Sequence, residues 1–245
     1  MKDSITVTGM VLLATPVGDY DKRLVILTKE KGKVTAFARG ARRPSSMNLA
    51  AANPFAFGEF ELYPGRDAYT LQRANISEYF RDLTTDYDMA CYGFYFTEVA
   101  NYYGMENADD RELLKLVYQS LKALSCGKFS FEFVQRVFEM KVMGINGEYP
   151  DVFSCVSCKK KENLKLINLN RGGCVCEDCT SKITGMEVSE GVLYAMQYIL
   201  TSSIQKLYTF TLTPEALEEF TKLIEAMKRL YMPHPFKSLD MIIKL

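Results

Sequence analysis

The chain has 245 residues, of which 48% are hydrophobic and 24% charged, and these values are ordinary for a globular protein of one or two domains. Thirty basic and thirty acidic residues cancel, so the formal net charge is zero. The single histidine, His234, excludes histidine-rich catalytic metal sites and most Ser–His or Cys–His nucleophile pairs. The sequence contains neither a GxxxxGK[ST] phosphate-binding loop nor a GxGxxG motif. We therefore expect a protein that is not an enzyme.

The first eighty residues show the short apolar and alternating runs that are typical of β-strands. Five strands within residues 1–80 predict a small closed barrel. The N-terminus lacks the apolar region of a signal peptide, and the early apolar runs are too short to span a membrane. We therefore expect a cytoplasmic protein. The predicted strand runs cover residues 5–14, 23–28, 33–38, 54–63 and 68–79.

From Arg81 onward, the spacing of apolar residues changes to the period of an α-helix. Each apolar stripe is most simply interpreted as hydrophobic core, and the last helix begins with Thr213 as its N-cap. We therefore predict an α+β protein with an N-terminal barrel (1–80) and an all-helical domain (81–245), the latter interrupted by an insertion at about 151–182. The predicted helices cover residues 89–103, 113–124, 131–142 and 217–231.

Two CxxC pairs lie in this insertion, Cys155 with Cys158 and Cys176 with Cys179, and seventeen residues separate them. This spacing is typical of a four-thiolate zinc site. Because four protein ligands leave no position for water, such a site is structural, and we expect one structural zinc ion per chain. Cysteines without metal and an iron–sulfur cluster remain alternatives, and a disulfide is less expected in the cytosol. Cys174 is close enough in sequence to compete as a ligand.

A stripe of basic residues lies within the predicted barrel, since residues 22–43 hold eight Lys or Arg against one acidic residue. One interpretation is a solvated sheet edge that lysines protect. The other is a surface for the phosphates of nucleic acid, because the arginines continue from a strand into a long loop. Aromatic residues nearby either stack on bases or fill the barrel core; they are Phe37, Phe55, Phe57 and Phe60. The residues expected at phosphates are Lys29, Lys31, Lys33, Arg39, Arg42 and Arg43.

Four segments of the predicted barrel resemble the N-terminal domain of the RecO family of bacterial recombination mediators. They are residues 8–12, 27–34, 53–55 and the Ala-Arg-Gly-Ala-Arg-Arg block at 38–43. The helical remainder, interrupted by two CxxC pairs, is similar to the C-terminal domain of that family with its zinc ribbon. Two features depart from the family pattern, namely Cys174, where an apolar residue is expected, and the acidic segment 17–21.

This resemblance implies an OB-fold, binding of single- and double-stranded DNA, and annealing of complementary strands. It implies a role in DNA repair and homologous recombination of the RecF pathway type, at a cytoplasmic, nucleoid-associated location. The implied partners are RecR, the tail of single-strand-binding protein in an apolar groove of the helical domain and, indirectly, RecA. A different class of function remains open, that of a non-catalytic adaptor with a structural zinc ribbon and no direct contact with DNA. A metalloenzyme is disfavoured because four cysteine ligands leave no open coordination position.

Overall fold

The computed structural model describes residues 3–242, and its contacts divide the chain into two compact units. Unit 1 comprises Met1–Gly127 and Phe236–Leu245, and unit 2 comprises Lys128–Pro235. The predicted domain limit after residue 80 therefore falls within unit 1. Among the described residues, no helix combines the length and apolar character that crossing a membrane requires.

Five strands of unit 1 close a barrel in the order β1-β2-β3-β5-β4, which confirms the predicted barrel. Neighbouring strands are antiparallel except β3 and β5, which pair in parallel. A five-stranded barrel of this kind is an OB-fold. The strands are β1 (Ile5–Val17), β2 (Asp21–Thr28), β3 (Gly32–Ala38), β4 (Phe57–Pro64) and β5 (Tyr69–Glu78).

Side-chain alternation along the strands builds the core of the barrel. On β3, Val34 and Ala36 are buried, while Lys33 and Phe37 lie on the opposite face and are half-buried. Phe60 belongs to the barrel core. Phe55 is buried as well and packs its ring against Phe94, with ring centroids 4.9 Å apart. Phe55 and Phe60 therefore fill the interior.

Helices of unit 1 follow the barrel, and helices of unit 2 surround the insertion. Side-chain oxygens cap several N-termini, and Thr213 accepts a hydrogen bond from Ala216 N, as predicted for this N-cap. The helices are α1 (Asp82–Thr85), α2 (Tyr87–Tyr103), α3 (Arg111–Ser125), α4 (Phe131–Ile145), α5 (Glu190–Thr201), α6 (Pro214–Tyr231) and α7 (Leu239–Ile242).

The C-terminal segment 236–242 packs on α2 within unit 1. The ring of Phe236 meets those of Tyr95 and Tyr102 edge-on, with centroids 5.8 and 5.7 Å away. The carboxylate of Glu98 accepts hydrogen bonds from the backbone N–H of Lys237 at 3.1 Å and of Ser238 at 2.9 Å. The last described helix is thereby fixed to a helix about 140 residues earlier in the chain.

A buried charged cluster joins α4 to α6 in unit 2. Glu139 is fully buried and accepts hydrogen bonds from Gln135, at 3.0 Å, and Arg136, at 2.9 Å. Lys228 of α6 pairs with the same carboxylate. Arg136 also pairs with Glu225 at 3.0 Å. Because a buried carboxylate is strongly coupled to its cationic partners, removing Glu139 takes a shared buried partner from both Arg136 and Lys228.

The insertion of unit 2 is a small sheet in the order β6-β8-β7-β9. Its turns place the two CxxC pairs where β6 and β8 end, and Gly172, with φ +70°, supplies the left-handed residue before β8. The strands are β6 (Asp151–Cys155), β7 (Leu164–Asn168), β8 (Gly173–Cys176) and β9 (Met186–Glu187).

Candidate functional site

The four cysteines of the two CxxC pairs converge beside the small sheet of unit 2. Their sulfur atoms all lie within 4.8 Å of one another, and the Sγ atoms of Cys158 and Cys176 are 3.4 Å apart. Four sulfurs placed tetrahedrally at a Zn–S distance of about 2.3 Å are about 3.8 Å from one another. The cluster therefore has the size and donor set of a tetrahedral metal site, and it can hold one ion.

The turn around the first pair favours an ionised sulfur. Burial opposes ionisation of Cys155, but backbone N–H groups of Cys158, Cys176 and Ser157 donate to its sulfur and lower its pKa to about 6. Cys176 behaves oppositely, because burial and the neighbouring thiols raise its pKa to about 12. The cluster therefore combines a stabilised thiolate with a thiol that a metal ion would have to deprotonate.

Cys174 lies next to this cluster but outside the group of four converging sulfurs. It is the register partner of Cys155 across the parallel β6–β8 pair, and it is fully buried. Burial, with added contributions from Asp151 and Cys155, raises the pKa of Cys174 to about 12. Cys174 is thus a buried neutral thiol in the sheet.

The six basic residues expected at phosphates do not form one cluster. Lys29 and Lys31 precede β3, whereas Arg39, Arg42 and Arg43 follow it. Because a strand rises about 3.3 Å per residue, the seven residues of β3 separate the two groups by about 20 Å. The barrel therefore has a lysine end and an arginine end.

The arginine end is joined to the turn between β1 and β2. Arg42 N donates to the carbonyl of Tyr20 at 2.9 Å, and Arg42 Nη1 donates to that of Gly18 at 3.2 Å. Gly40 N donates to the carboxylate of Asp21 at 2.7 Å. Two segments that are distant in sequence thus form one surface. We call it the arginine surface, and it consists of the exposed residues Tyr20, Arg39, Arg42 and Arg43.

Tyr20 is the member of this surface that the sequence analysis missed. The guanidinium of Arg43 lies over its ring, 4.7 Å from the centroid, while 51% of the residue remains exposed. The flanking residues Asp19 and Asp21 made this turn look acidic. The signal that could have identified it is an aromatic residue in a turn beside a long basic loop.

Lys22 forms two hydrogen bonds with the long loop between β3 and β4. Its ammonium donates to the carbonyl of Ala52 at 2.9 Å and to the side-chain oxygen of Asn53 at 2.7 Å. Burial, together with the positive charge of Arg42, lowers the pKa of Lys22. This cation therefore supports the end of the loop that leads into β4.

At the lysine end, Lys33 is anchored within unit 1. Its ammonium donates to the carbonyl of Asn101, in the last turn of α2, at 2.5 Å. Beside it, a cavity of about 230 Å³ is lined by Lys31, Thr35, Arg66 and Tyr69 among others. Arg66, in the turn between β4 and β5, was not identified from the sequence. It adds an exposed cation to this end of the barrel.

Comparison with known proteins covers almost the whole chain. The family model described as Recombination protein O N terminal matches residues 1–80, and the model described as Recombination protein O C terminal matches residues 84–240. A DNA repair protein RecO of Acetivibrio thermocellus is 30% identical over 96% of this chain and 94% of its own length. Proteins of the same name from Alkaliphilus metalliredigens and Clostridium novyi are 29% and 30% identical, covering 98% and 89% of this chain and 99% and 85% of their own.

Proposed function

The chain belongs to the RecO family of DNA repair proteins, and from this premise we propose that it binds single- and double-stranded DNA and anneals complementary strands. The observation that carries the proposal is the arginine surface. Three exposed arginines are presented on a barrel, and hydrogen bonds to the turn between β1 and β2 fix the position of the loop that holds them.

The chemistry of this surface suits phosphate groups. Guanidinium groups form paired hydrogen bonds with phosphate oxygens and remain charged at every physiological pH. Arg39, Arg42 and Arg43 would therefore contact the sugar–phosphate backbone and bind without regard to base sequence. Lys29, Lys31 and Lys33 would contribute at the other end of β3, although the ammonium of Lys33 is shared with the carbonyl of Asn101.

Annealing follows from the same charges. Two DNA strands repel each other through their phosphates, and cations that neutralise part of this charge reduce the repulsion. A protein with this activity needs no chemical step, so we propose a mediator of DNA repair and homologous recombination that is not an enzyme. Its proposed partners are RecR and the tail of single-strand-binding protein, with loading of RecA as the result. We propose that it acts at the nucleoid in the cytoplasm.

The four-cysteine cluster would hold one structural zinc ion through Cys155, Cys158, Cys176 and Cys179. When bound, the ion would link the turns after β6 and β8 and so stabilise the small sheet. Since all four positions around the ion are filled by sulfur, this site would leave no place for a substrate. The proposal rests on the spacing of the sulfur atoms and on the donor set.

The competing function is an adaptor that binds proteins and does not contact DNA. A titration of the purified protein with a fluorescently labelled 30-nucleotide strand, at sodium chloride concentrations from 50 to 300 mM, separates the two. A DNA-binding protein gives affinity that falls linearly with salt on a double-logarithmic plot, because phosphate neutralisation releases counterions. Absence of binding at 50 mM salt would refute the proposed function and favour the adaptor. A second assay, pairing of two complementary labelled strands, tests annealing.

A further inference from the structure

We propose that Tyr20 is a stacking platform for an unpaired base and that it makes the arginine surface favour single strands over duplexes. This inference rests on the proposed DNA binding and adds to it a preference for one form of DNA. Its starting point is the exposure of this side chain beside the three arginines. Phe55 and Phe60 of the same unit are buried, whereas Tyr20 has 51% of its surface in solvent.

The ring of Tyr20 has one occupied face. The guanidinium of Arg43 lies over that face, 4.7 Å from the ring centroid, in the geometry of a cation–π contact. Since 51% of the residue is nevertheless in solvent, we assign the opposite face of the ring to the base. A planar base stacked there would form a three-layer arrangement of guanidinium, tyrosine and base.

The turn that carries the ring is held in place. Tyr20 O accepts a hydrogen bond from Arg42 N at 2.9 Å, and the following residue, Asp21, accepts one from Gly40 N at 2.7 Å. The preceding Gly18 has φ +55° and accepts from the guanidinium of Arg42. Because the backbone on both sides of Tyr20 is held, the turn loses little conformational freedom when a base stacks on the ring.

Single and double strands offer different groups to this surface. Both present phosphates, which the arginines can neutralise in either form. Only a single strand presents the open face of a base, since the bases of an intact duplex are covered by their neighbours in the stack. Tyr20 would therefore add affinity for single strands alone.

The acidic residues beside Tyr20 agree with this division of contacts. The carboxylate of Asp21 accepts a hydrogen bond from the backbone N–H of Gly40, and Asp19 is exposed. The carboxylate of Asp19 repels phosphates from the turn itself and so leaves the backbone of the strand to the arginines. The turn would therefore contact the uncharged base through the ring of Tyr20.

The chain contains no tryptophan, which provides a direct probe. In a Tyr20→Trp variant the new indole is the only one in the protein. We expect oligothymidine to quench its fluorescence through stacking, and a blunt-ended duplex of two fully complementary strands to leave it unchanged. The matched control is Tyr87→Trp at the start of α2, where the tyrosine is 66% exposed; no quenching is expected there. Equal quenching by both DNA forms, or none by oligothymidine, would overturn the proposal.

Affinities of unlabelled variants give a second, independent measurement. We expect Tyr20→Leu to weaken binding of oligothymidine about tenfold and to leave duplex binding within about twofold of wild type. Tyr20→Phe should retain both affinities, and Arg43→Ala should weaken both. Equal losses for the two DNA forms in Tyr20→Leu would mean that the ring only positions Arg43, and no loss would mean that it contacts no DNA; either result overturns the inference alone. Failure of the wild type to bind any DNA would instead refute the proposed function and, with it, this inference.

Discussion

Replacing Arg39, Arg42 and Arg43 together with alanine should weaken DNA binding and reduce its salt dependence. Each phosphate contact contributes about 0.9 to the logarithmic salt slope on duplex DNA and about 0.7 on single strands. If each arginine contacts one phosphate, the slope falls by about 2.7 on duplex and about 2.1 on single strands. Between 50 and 200 mM salt, the wild type would then lose about 40-fold more duplex affinity than the variant.

The same substitution should have a small effect on stability. It removes the hydrogen bond from Arg42 to Gly18 and the contact of Arg43 with Tyr20, both of which lie on the surface. Exposed interactions of these kinds contribute about 1 kcal/mol or less, so the melting temperature should fall by only a few degrees. A large loss of stability would make any change in affinity uninterpretable, and thermal melting checks this first.

The assay is fluorescence anisotropy with a labelled 30-nucleotide strand and with the corresponding duplex at five salt concentrations. A matched control removes three exposed cations from the helices, Lys115, Lys222 and Arg229, so the change in net charge is the same. The control should retain the wild-type slope. If the arginine variant also retains it, the arginine surface contributes only to solubility, and DNA binds elsewhere.

Three further predictions concern the metal cluster and two anchors. The Cys155→Ser protein should retain less than about half an equivalent of zinc and lose protease resistance in the insertion. The Cys174→Ser protein, as the control, should keep a full equivalent. Bound iron in the wild type would contradict the zinc assignment. Glu139→Ala should lower the free energy of unfolding by about 3–5 kcal/mol, because Arg136 and Lys228 lose the fully buried carboxylate that they share, and a change below about 1 kcal/mol in urea titrations would refute this. Lys33→Ala should cost about 1–3 kcal/mol in the same assay through the lost hydrogen bond to Asn101. The duplex salt slope should change by less than half of the roughly 0.9 that one full phosphate contact contributes, and a full loss of about 0.9 would contradict this anchoring role.

Much of the barrel could be predicted from the sequence because its signals are local. Alternation along residues 33–38 identified β3, and the structure has it at Gly32–Ala38. The run from residue 5 to 14 was also recognised, although β1 continues to Val17 and contains an irregularity between Val11 and Leu13. Such an extra residue changes the side-chain alternation, so the period of two is interrupted within one continuous strand.

Features that depend on distant contacts were missed. The four strands of the insertion are five residues or shorter, too short to give a periodic pattern. Helix α5 was not predicted, although Ser189 caps it. The arginine surface depends on hydrogen bonds between segments about twenty residues apart, and no local pattern encodes them. For the cysteines, fixed CxxC spacing carried enough information to predict which four sulfur atoms come together.

The return of segment 236–242 to α2 affects the order in which the protein can be completed during synthesis. Residues 128–235 leave the ribosome after the barrel and α2 but before Phe236 and the backbone groups that bind Glu98. The contacts of Tyr95 and Tyr102 with Phe236 therefore form only after a whole second unit has been translated. Closing a flexible loop of about a hundred residues costs entropy. This cost of forming the contact between Phe236 and α2 is lower once unit 2 has folded, because the intervening chain is then no longer flexible.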